Sequence, residues 1–184
     1  MKEGDFSNRD VETTKNEVDF WLEDYNDIFS DFDHRPYIER GLSGDFLEEA
    51  KRASQYKEEK DLKLKFFISK KLRKKEEERI IKRRLIEHFN RHNILLLKEK
   101  KKELIKGLTT TIVGLIVMVL VTTFFYKYQN ISDTINTFIA ISEISGWFLL
   151  WTGLNLVIFE SRTLNPDLEF YKKMTKASIS FYDN

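Results

Sequence analysis

Cysteine is absent from the chain, which removes disulfides, thiolate zinc sites, iron–sulfur clusters and cysteine nucleophiles together. Three His, seven Gly and two Pro among 184 residues leave little material for catalysis or for phosphate-cradling loops. No Gly-rich phosphate motif and no nucleophile elbow occurs. No excess of one charge names a partner either, because 31 basic residues face 30 acidic ones. What the inventory excludes is therefore chemistry: the residues point to no enzyme and imply no cofactor.

The near-neutral total hides a strong pattern. Residues 1–69 carry 11 basic and 18 acidic residues, residues 70–106 carry 15 and 6, and residues 107–184 carry 5 and 6. An acidic head, a basic middle and a charge-poor remainder make a distribution that suits a membrane or a nucleic acid. The charge-poor part decides between them. Leu108 to Tyr126 is nineteen residues without a charge, and Ile135 to Phe159 is 25 residues whose one charge is Glu143. At 1.5 Å per residue the first rises about 28 Å as a helix, close to the thickness of a bilayer's hydrocarbon. Helices buried in a soluble core rarely stay apolar on every side for so long. The expectation is a transmembrane helix over 107–126, an external loop over 127–134 and a second transmembrane helix over 135–159. Nucleic-acid binding is not expected, because the basic run abuts a span and its topology accounts for it.

Orientation follows from the basic residues beside the spans. Arg91, Lys98, Lys100, Lys101, Lys102 and Lys106 precede the first, Lys127 alone lies in the connector, and Arg162, Lys172, Lys173 and Lys176 follow the second. Both termini are expected in the cytoplasm of a cell whose inner membrane holds the spans. Lys98, Lys100, Lys101, Lys102 and Lys106 would then contact the headgroups of an anionic inner leaflet, at about 1 kcal/mol for each nearby cation. The first sixteen residues are polar, lack the apolar stretch of a signal peptide and read as a disordered tail. Asn130-Ile131-Ser132 matches a glycosylation sequon and reads as a chance match in so short a loop.

The cytoplasmic part, 17–106, is expected to be a helical domain with one strand and a basic juxtamembrane helix. Val18, Trp21, Leu22, Tyr25, Ile28, Phe29 and Phe32 recur at three and four residues, which predicts an acidic amphipathic helix over 17–32. A turn follows at Asp33-His34-Arg35-Pro36-Tyr37, where proline biases Arg35 away from helix. Ser43 is an N-cap candidate for a short helix burying Phe46, Leu47, Ala50 and Ala53. In 61–68 the period changes to two, with Leu62, Leu64, Phe66 and Ile68 on one side. A lone strand cannot satisfy its backbone. The only mate with the same alternation is 176–182, so the tail 160–184 is expected to dock on the N-terminal domain through a two-strand pairing. Residues 74–106 read as one long charged helix, with a candidate break at Asn90-Arg91-His92-Asn93. The fold class is thus mainly α, a transmembrane two-helix hairpin with a small α+β domain.

His88 and His92 lie four residues apart on that helix, a spacing that can clamp a divalent metal. Arg84 and Arg91 crowd the pair with positive charge, so no metal is expected there. Within the second span Glu143, Trp147, Trp151 and Asn155 recur every four residues, and Ser142, Gly146 and Gly153 lie on an adjoining face. Thr110 and Gly114 have small-xxx-small spacing in the first span. Folding the hairpin about its connector pairs positions whose numbers sum to roughly 262. That pairing sets Asn155 beside Thr109 and Thr110, and Glu143 beside Val121 and Thr122. The expected polar residues of the bilayer are therefore Glu143, Thr122, Asn155 and Thr110, and the expected packing residues Gly114, Ser142, Gly146 and Gly153.

The run Phe32-Asp33-x-Arg35-Pro36-Tyr37, then Leu42-Ser43-x-Asp45-Phe46-Leu47, Gly146-Trp147 with Trp151, and Pro166-Asp167-Leu168-x-Phe170-Tyr171 resembles a family of small two-span prokaryotic membrane proteins without an assigned activity. The resemblance spans most of residues 32–181 and implies a prokaryotic membrane protein with no catalytic residues to carry over. Two readings remain open from the residues. One is a membrane-anchored interaction or scaffold module, a homo-oligomer or bound to an unidentified membrane partner. The other is a homo-oligomeric ion-conducting or membrane-permeabilising channel with Glu143 near the path.

Overall fold

A computed structural model describes residues 16–128 and 132–184, the side chains of 128, 160 and 161 excepted. The expected disordered tail, save its last residue, and the centre of the connector with its sequon lie outside the described residues. The chain forms two compact units, one of residues up to 94 together with 167–184, the other of residues 95–166.

The first unit is built on three parallel strands in the order β1 (Glu17–Leu22), β2 (Lys63–Ile68), β3 (Ser178–Asp183). Leu64 pairs with Val18 on one side and Ile179 on the other, and Phe66 with Phe20 and Phe181. The two strands read from alternation are present and adjacent, and the tail joins the unit that the N-terminal region forms. β2 starts at Lys63 rather than 61 because Asp61 sits at φ 60°, in the left-handed region that an extended run cannot contain. β3 starts at Ser178 because Lys176 closes a helix.

The helix expected over 17–32 does not form. Glu17–Leu22 is a strand, followed by a single 3-10 turn at Tyr25–Ile28. Val18, Phe20 and Leu22 are buried while Asp19 and Trp21 point out, which is a period of two. The turn is fixed by Asp24, which accepts from Asn26 N (2.9 Å), and by Asp27, which accepts from Glu23 N (2.7 Å). A strand joined to such a turn places Tyr25, Ile28 and Phe29 at helix-like intervals, so the spacing of three and four came from two elements rather than one.

Four helices complete the described chain: α1 (Gly44–Ser54), α2 (Lys75–Tyr128), α3 (Asp133–Asn155) and α4 (Asn165–Lys176). Two of them, α2 and α3, are long and apolar enough to cross a membrane. Ser43 caps α1 as expected, accepting from Phe46 N at 3.5 Å. α2 runs through 90–93 without the candidate break; Asn and Arg there are tolerated helix residues, and neither Gly nor Pro stands at those four positions. α3 passes through a π turn at Leu156–Glu160 before the chain reaches α4. α4 was not expected; Phe170 and Met174 are its buried side.

In the sheet unit these helices cover one face of the sheet. Phe20, Phe66 and Phe181 stack across the three strands at 5.2 Å between neighbouring rings. Phe46 and Ala50 of α1, Ile81, Leu85 and Phe89 of α2, and Phe170 and Met174 of α4 close the core. Burying side chains of this size contributes about 1.5–3 kcal/mol each. The other face carries a second aromatic row, Trp21–Phe67–Tyr182, at 4.7 and 5.6 Å.

Candidate functional site

The helix-pair unit holds the residues singled out for the bilayer. Its helices are antiparallel, and their register is read from four glycines. A Cβ on Gly107 would meet Val157 Cγ2 at 2.7 Å, one on Gly114 would meet Leu150 N at 2.5 Å, one on Gly146 would meet Met118 Cγ at 2.8 Å, and one on Gly153 would strike Thr111. In each contact the two numbers sum to 264, two away from the expected pairing. Gly107 and Gly114 are seven apart, as are Gly146 and Gly153. A seven-residue repeat keeps one face of each helix against the other, and glycine there brings the backbones together.

Gly114, Gly146 and Gly153 thus lie where the two helices meet, and so does Gly107. The signal for Gly107 was the seven-residue spacing to Gly114, which a search for small-xxx-small pairs passes over. Ser142 is half-buried and lies off the glycine seam; its Oγ donates to Phe138 O at 2.9 Å. Where the glycine contacts end, Leu120, Val121, Phe124, Phe138, Ile139 and Ser142 line an apolar cleft of about 610 Å3.

The register sets Glu143 level with Val121 and Asn155 level with Thr109, as the hairpin argument had them, but it does not turn the polar groups toward the facing helix. Glu143, Thr122 and Asn155 are all exposed, and among the described residues no hydrogen bond joins Glu143 or Asn155 to α2. The seam explains this. Thr110 and Thr122 stand one residue beyond seam positions 111 and 121, a rotation of about 100° around the helix. Asn155 lies two residues from both Gly153 and Val157, at the back of α3. Thr110 instead donates to the carbonyl of Lys106 at 2.9 Å, as Thr109, Thr111, Thr137, Ser142 and Ser145 do to carbonyls a turn earlier. Hydroxyls satisfied within their own helix can face an apolar medium at little cost. A carboxyl has no such local bond, so Glu143 stands apart from the other polar groups of the pair. Trp147 and Trp151 share its side of the helix and are exposed.

Lys98, Lys101, Lys102 and Lys106 lie exposed on α2, and half-buried Lys100 donates to Asn165 Oδ1 at 2.6 Å. In the sheet unit His88 and His92 stand 4.2 Å apart, and His92 stacks on Tyr171 at 5.1 Å. Burial, then the neighbouring His92, Arg84 and Arg91, pull the pKa of His88 down to about 4. The pair is thus a neutral aromatic contact between α2 and α4 at physiological pH.

No family model, no curated protein and no solved structure matches the chain.

Proposed function

We propose that the chain is a two-pass protein of the inner membrane, both termini cytoplasmic, acting as an oligomeric membrane-anchored interaction module without catalysis. The observation that carries the reading is where the apolar surface lies. Only 6% of the most apolar window of α2 and 17% of that of α3 are buried. A hairpin in a soluble core would bury most of that surface, whereas α2 and α3 leave Leu115, Ile116, Val119, Phe138, Ile144 and Phe148 more than half exposed. Water would penalise such a surface at about 25 cal/mol per Å2, and lipid removes the penalty. The hydroxyls bonded inside their own helices suit the same medium. The lysines of α2 then reach the headgroups, and the sheet unit is what the membrane holds in place for a partner.

Reporter fusions at residues 1, 130 and 184 test the topology. Both termini are expected inside and residue 130 outside. A connector on the same side as the termini, or a chain released from membranes by alkaline carbonate, would overturn the reading.

Glu143 supports the second reading, a homo-oligomeric channel, because its carboxyl faces outward from the helix pair with no partner on α2. An acid within the hydrocarbon costs about 2.5–3.5 kcal/mol on insertion scales. For the interaction module, purified chain in liposomes is expected to pass no ions, Glu143→Gln is expected to assemble as wild type, and Glu143→Leu to lower the mass of the complex. Ion flux in wild type that disappears in a normally assembled Glu143→Gln decides for the channel.

A further inference from the structure

The run Asp33-His34-Arg35-Pro36-Tyr37 plays no part in the membrane reading, yet the sheet unit fixes it firmly. Asp33 accepts four hydrogen bonds, from Arg35 N (3.2 Å), Arg35 Nε (2.9 Å), Arg35 Nη2 (2.8 Å) and Gly41 N (2.7 Å). Those bonds, the Arg35 guanidinium first and the Gly41 amide next, hold its carboxyl well below the usual carboxylate range. The loop is closed at its base by Ser30 N donating to Gly41 O and by a bridge between Phe29 and Leu42. Arg40 is locked as well. Its Nε and Nη2 donate to Ser30 O at 3.2 and 3.0 Å, its Nη1 to Asn26 Oδ1 at 2.6 Å, and its guanidinium lies 5.7 Å over the Phe29 ring. Arg84 Nε donates to the carbonyl of Arg40 at 2.9 Å.

Arg35, Arg40 and Arg83 line one cleft of about 390 Å3, floored by Pro36, Tyr37, Ile38 and Ile80. The three cations differ in how they are balanced. Arg35 is neutralised by Asp33. Among the described residues Arg40 bonds only neutral acceptors, Ser30 O and Asn26 Oδ1, so no described carboxylate pairs with its charge. Arg83 has Glu87 at 3.8 Å, beyond hydrogen-bond distance, and is largely exposed. Asp24 and Glu77 act on Tyr37 from the same surroundings as Arg40, so acids border the cleft, but none of its lining residues is acidic. Two guanidinium groups fixed in direction by hydrogen bonds, Arg35 and Arg40, with a third, mobile one at Arg83 and apolar side chains between them, match an anion with several acceptor oxygens.

We propose that this cleft binds a phosphate group, with the part of the ligand next to the phosphate lying on Pro36, Tyr37, Ile38 and Ile80. A phospholipid headgroup and a soluble phosphate compound offer the same chemistry, and two arms separate them. Both use the full chain in nanodiscs. In the first arm the nanodiscs are phosphatidylcholine and inorganic pyrophosphate is titrated by calorimetry. In the second, phosphatidylglycerol is added and the lipids retained are counted by native mass spectrometry, with Lys98, Lys100, Lys101 and Lys102 all changed to Gln so that the α2 lysines do not mask the cleft. Arg83→Gln and Arg35→Gln are made in each background. At least a tenfold weaker pyrophosphate affinity in both variants assigns the cleft to soluble phosphates. Loss of retained phosphatidylglycerol in both, with pyrophosphate binding absent from wild type, assigns it to the headgroup. Ile80→Glu, which sets a carboxylate in the wall without touching an arginine, is expected to act as the arginine variants do. If wild type binds neither probe, or if the three variants bind as wild type does with unchanged circular dichroism, the proposal is overturned.

Discussion

Replacing Gly153 by leucine is expected to part the two apolar helices. A Cβ at that position would strike the Thr111 hydroxyl and amide and come within 2.7 Å of Gly107 O. Two of those three atoms are backbone, so no rotamer change relieves the overlap. Overpacking in cores whose side chains can move costs about 1–3 kcal/mol. Here the helices themselves must separate, and every 1.4 kcal/mol lowers the pairing equilibrium constant about tenfold. The effect should be graded along the seam. Gly114→Ala meets Leu150 N at 2.5 Å and Leu150 Cα at 2.9 Å, so it should cost nearly as much. Gly146→Ala meets first the Met118 side chain, which is flexible, and should cost least. The chain has no cysteine, so spin labels placed by Leu108→Cys and Ile158→Cys, in chains diluted with unlabelled protein, report the single distance within one hairpin. That distance is expected to be narrow in the parent and to broaden and lengthen in Gly153→Leu. An unchanged distribution would show that the glycines do not set the packing.

The same seam bears on what else the pair can do. In antiparallel helices a seven-residue repeat of glycine closes one face of each. A second copy or another membrane protein must then dock elsewhere, and Glu143, Trp147 and Trp151 occupy a face that remains. This is why the Glu143→Leu and Glu143→Gln pair separates assembly from conduction, while the glycine variants test only the hairpin.

How much of this was legible beforehand depends on which forces fix each element. The two apolar stretches were legible because a run of that length without charge has few other uses, and the hairpin register came within two residues from chain connectivity alone. β2 and β3 were legible because Lys63 and Lys65 flank Leu64, and Ser178 and Ser180 flank Ile179, which sets the alternation before Phe67 and Tyr182 break it. β1 was not, since Trp21 stands on the outer face: an apolar residue at an outward position erases the alternation and completes a false helical period. Its reason for being apolar lies on a strand distant in sequence, where Phe67 stacks against it at 4.7 Å. Glu143 was recognisable as the odd charge in its span, but the face it occupies was not. Which face of α3 meets α2 depends on Gly107 and Gly153 approaching each other, a tertiary fact that Thr122 carries no mark of. Arg40 and Arg83 were invisible for the same reason, since only the fold brings the turn after Asp33 against α2.

Glu78→Ala is expected to be the most damaging single change in the sheet unit. Glu78 is 6% exposed. Arg73 donates to it twice, Nε to Oε1 at 2.8 Å and Nη2 to Oε2 at 3.1 Å, and Tyr25 OH donates to Oε1 at 3.1 Å. Arg73 also reaches Asp183 Oδ1 at 2.6 Å and Phe181 O at 3.2 Å, while Tyr25 OH accepts from Lys74 N at 3.0 Å. One carboxylate thus joins the turn after β1, the start of α2 and the end of β3. Removing Glu78 leaves Tyr25 OH without its acceptor and Arg73 with only the half-exposed Asp183 and the Phe181 carbonyl, and breaking a buried pair costs at most about 3–5 kcal/mol, a large share of a small domain's stability. Glu77→Ala breaks only an exposed pair with Lys74 and should cost under about 1 kcal/mol. Amide exchange at Leu64 and Phe66 in the full chain reads the difference where it arises, and equal protection in Glu78→Ala and Glu77→Ala would refute the role given to Glu78. Acid should act through the same group. Arg73 holds the Glu78 carboxyl below its ordinary 4.5, so its contribution is complete above pH 4.5 and disappears as pH falls through the lower folded value. His88 adds to the loss at higher pH: its pKa falls from 6.5 unfolded to about 4 folded, so the unfolded chain binds the extra proton between those values. Protection of β2 is therefore expected to decline in two stages, first from pH 6.5 toward 4 and then below 4.5. In Glu78→Gln protection should be lower at neutral pH, with the second stage reduced to what Glu17, Asp33, Glu59 and Asp183, whose carboxyls are also held down by cationic or amide partners, still contribute, and a second stage of full size in that variant would move its origin to them.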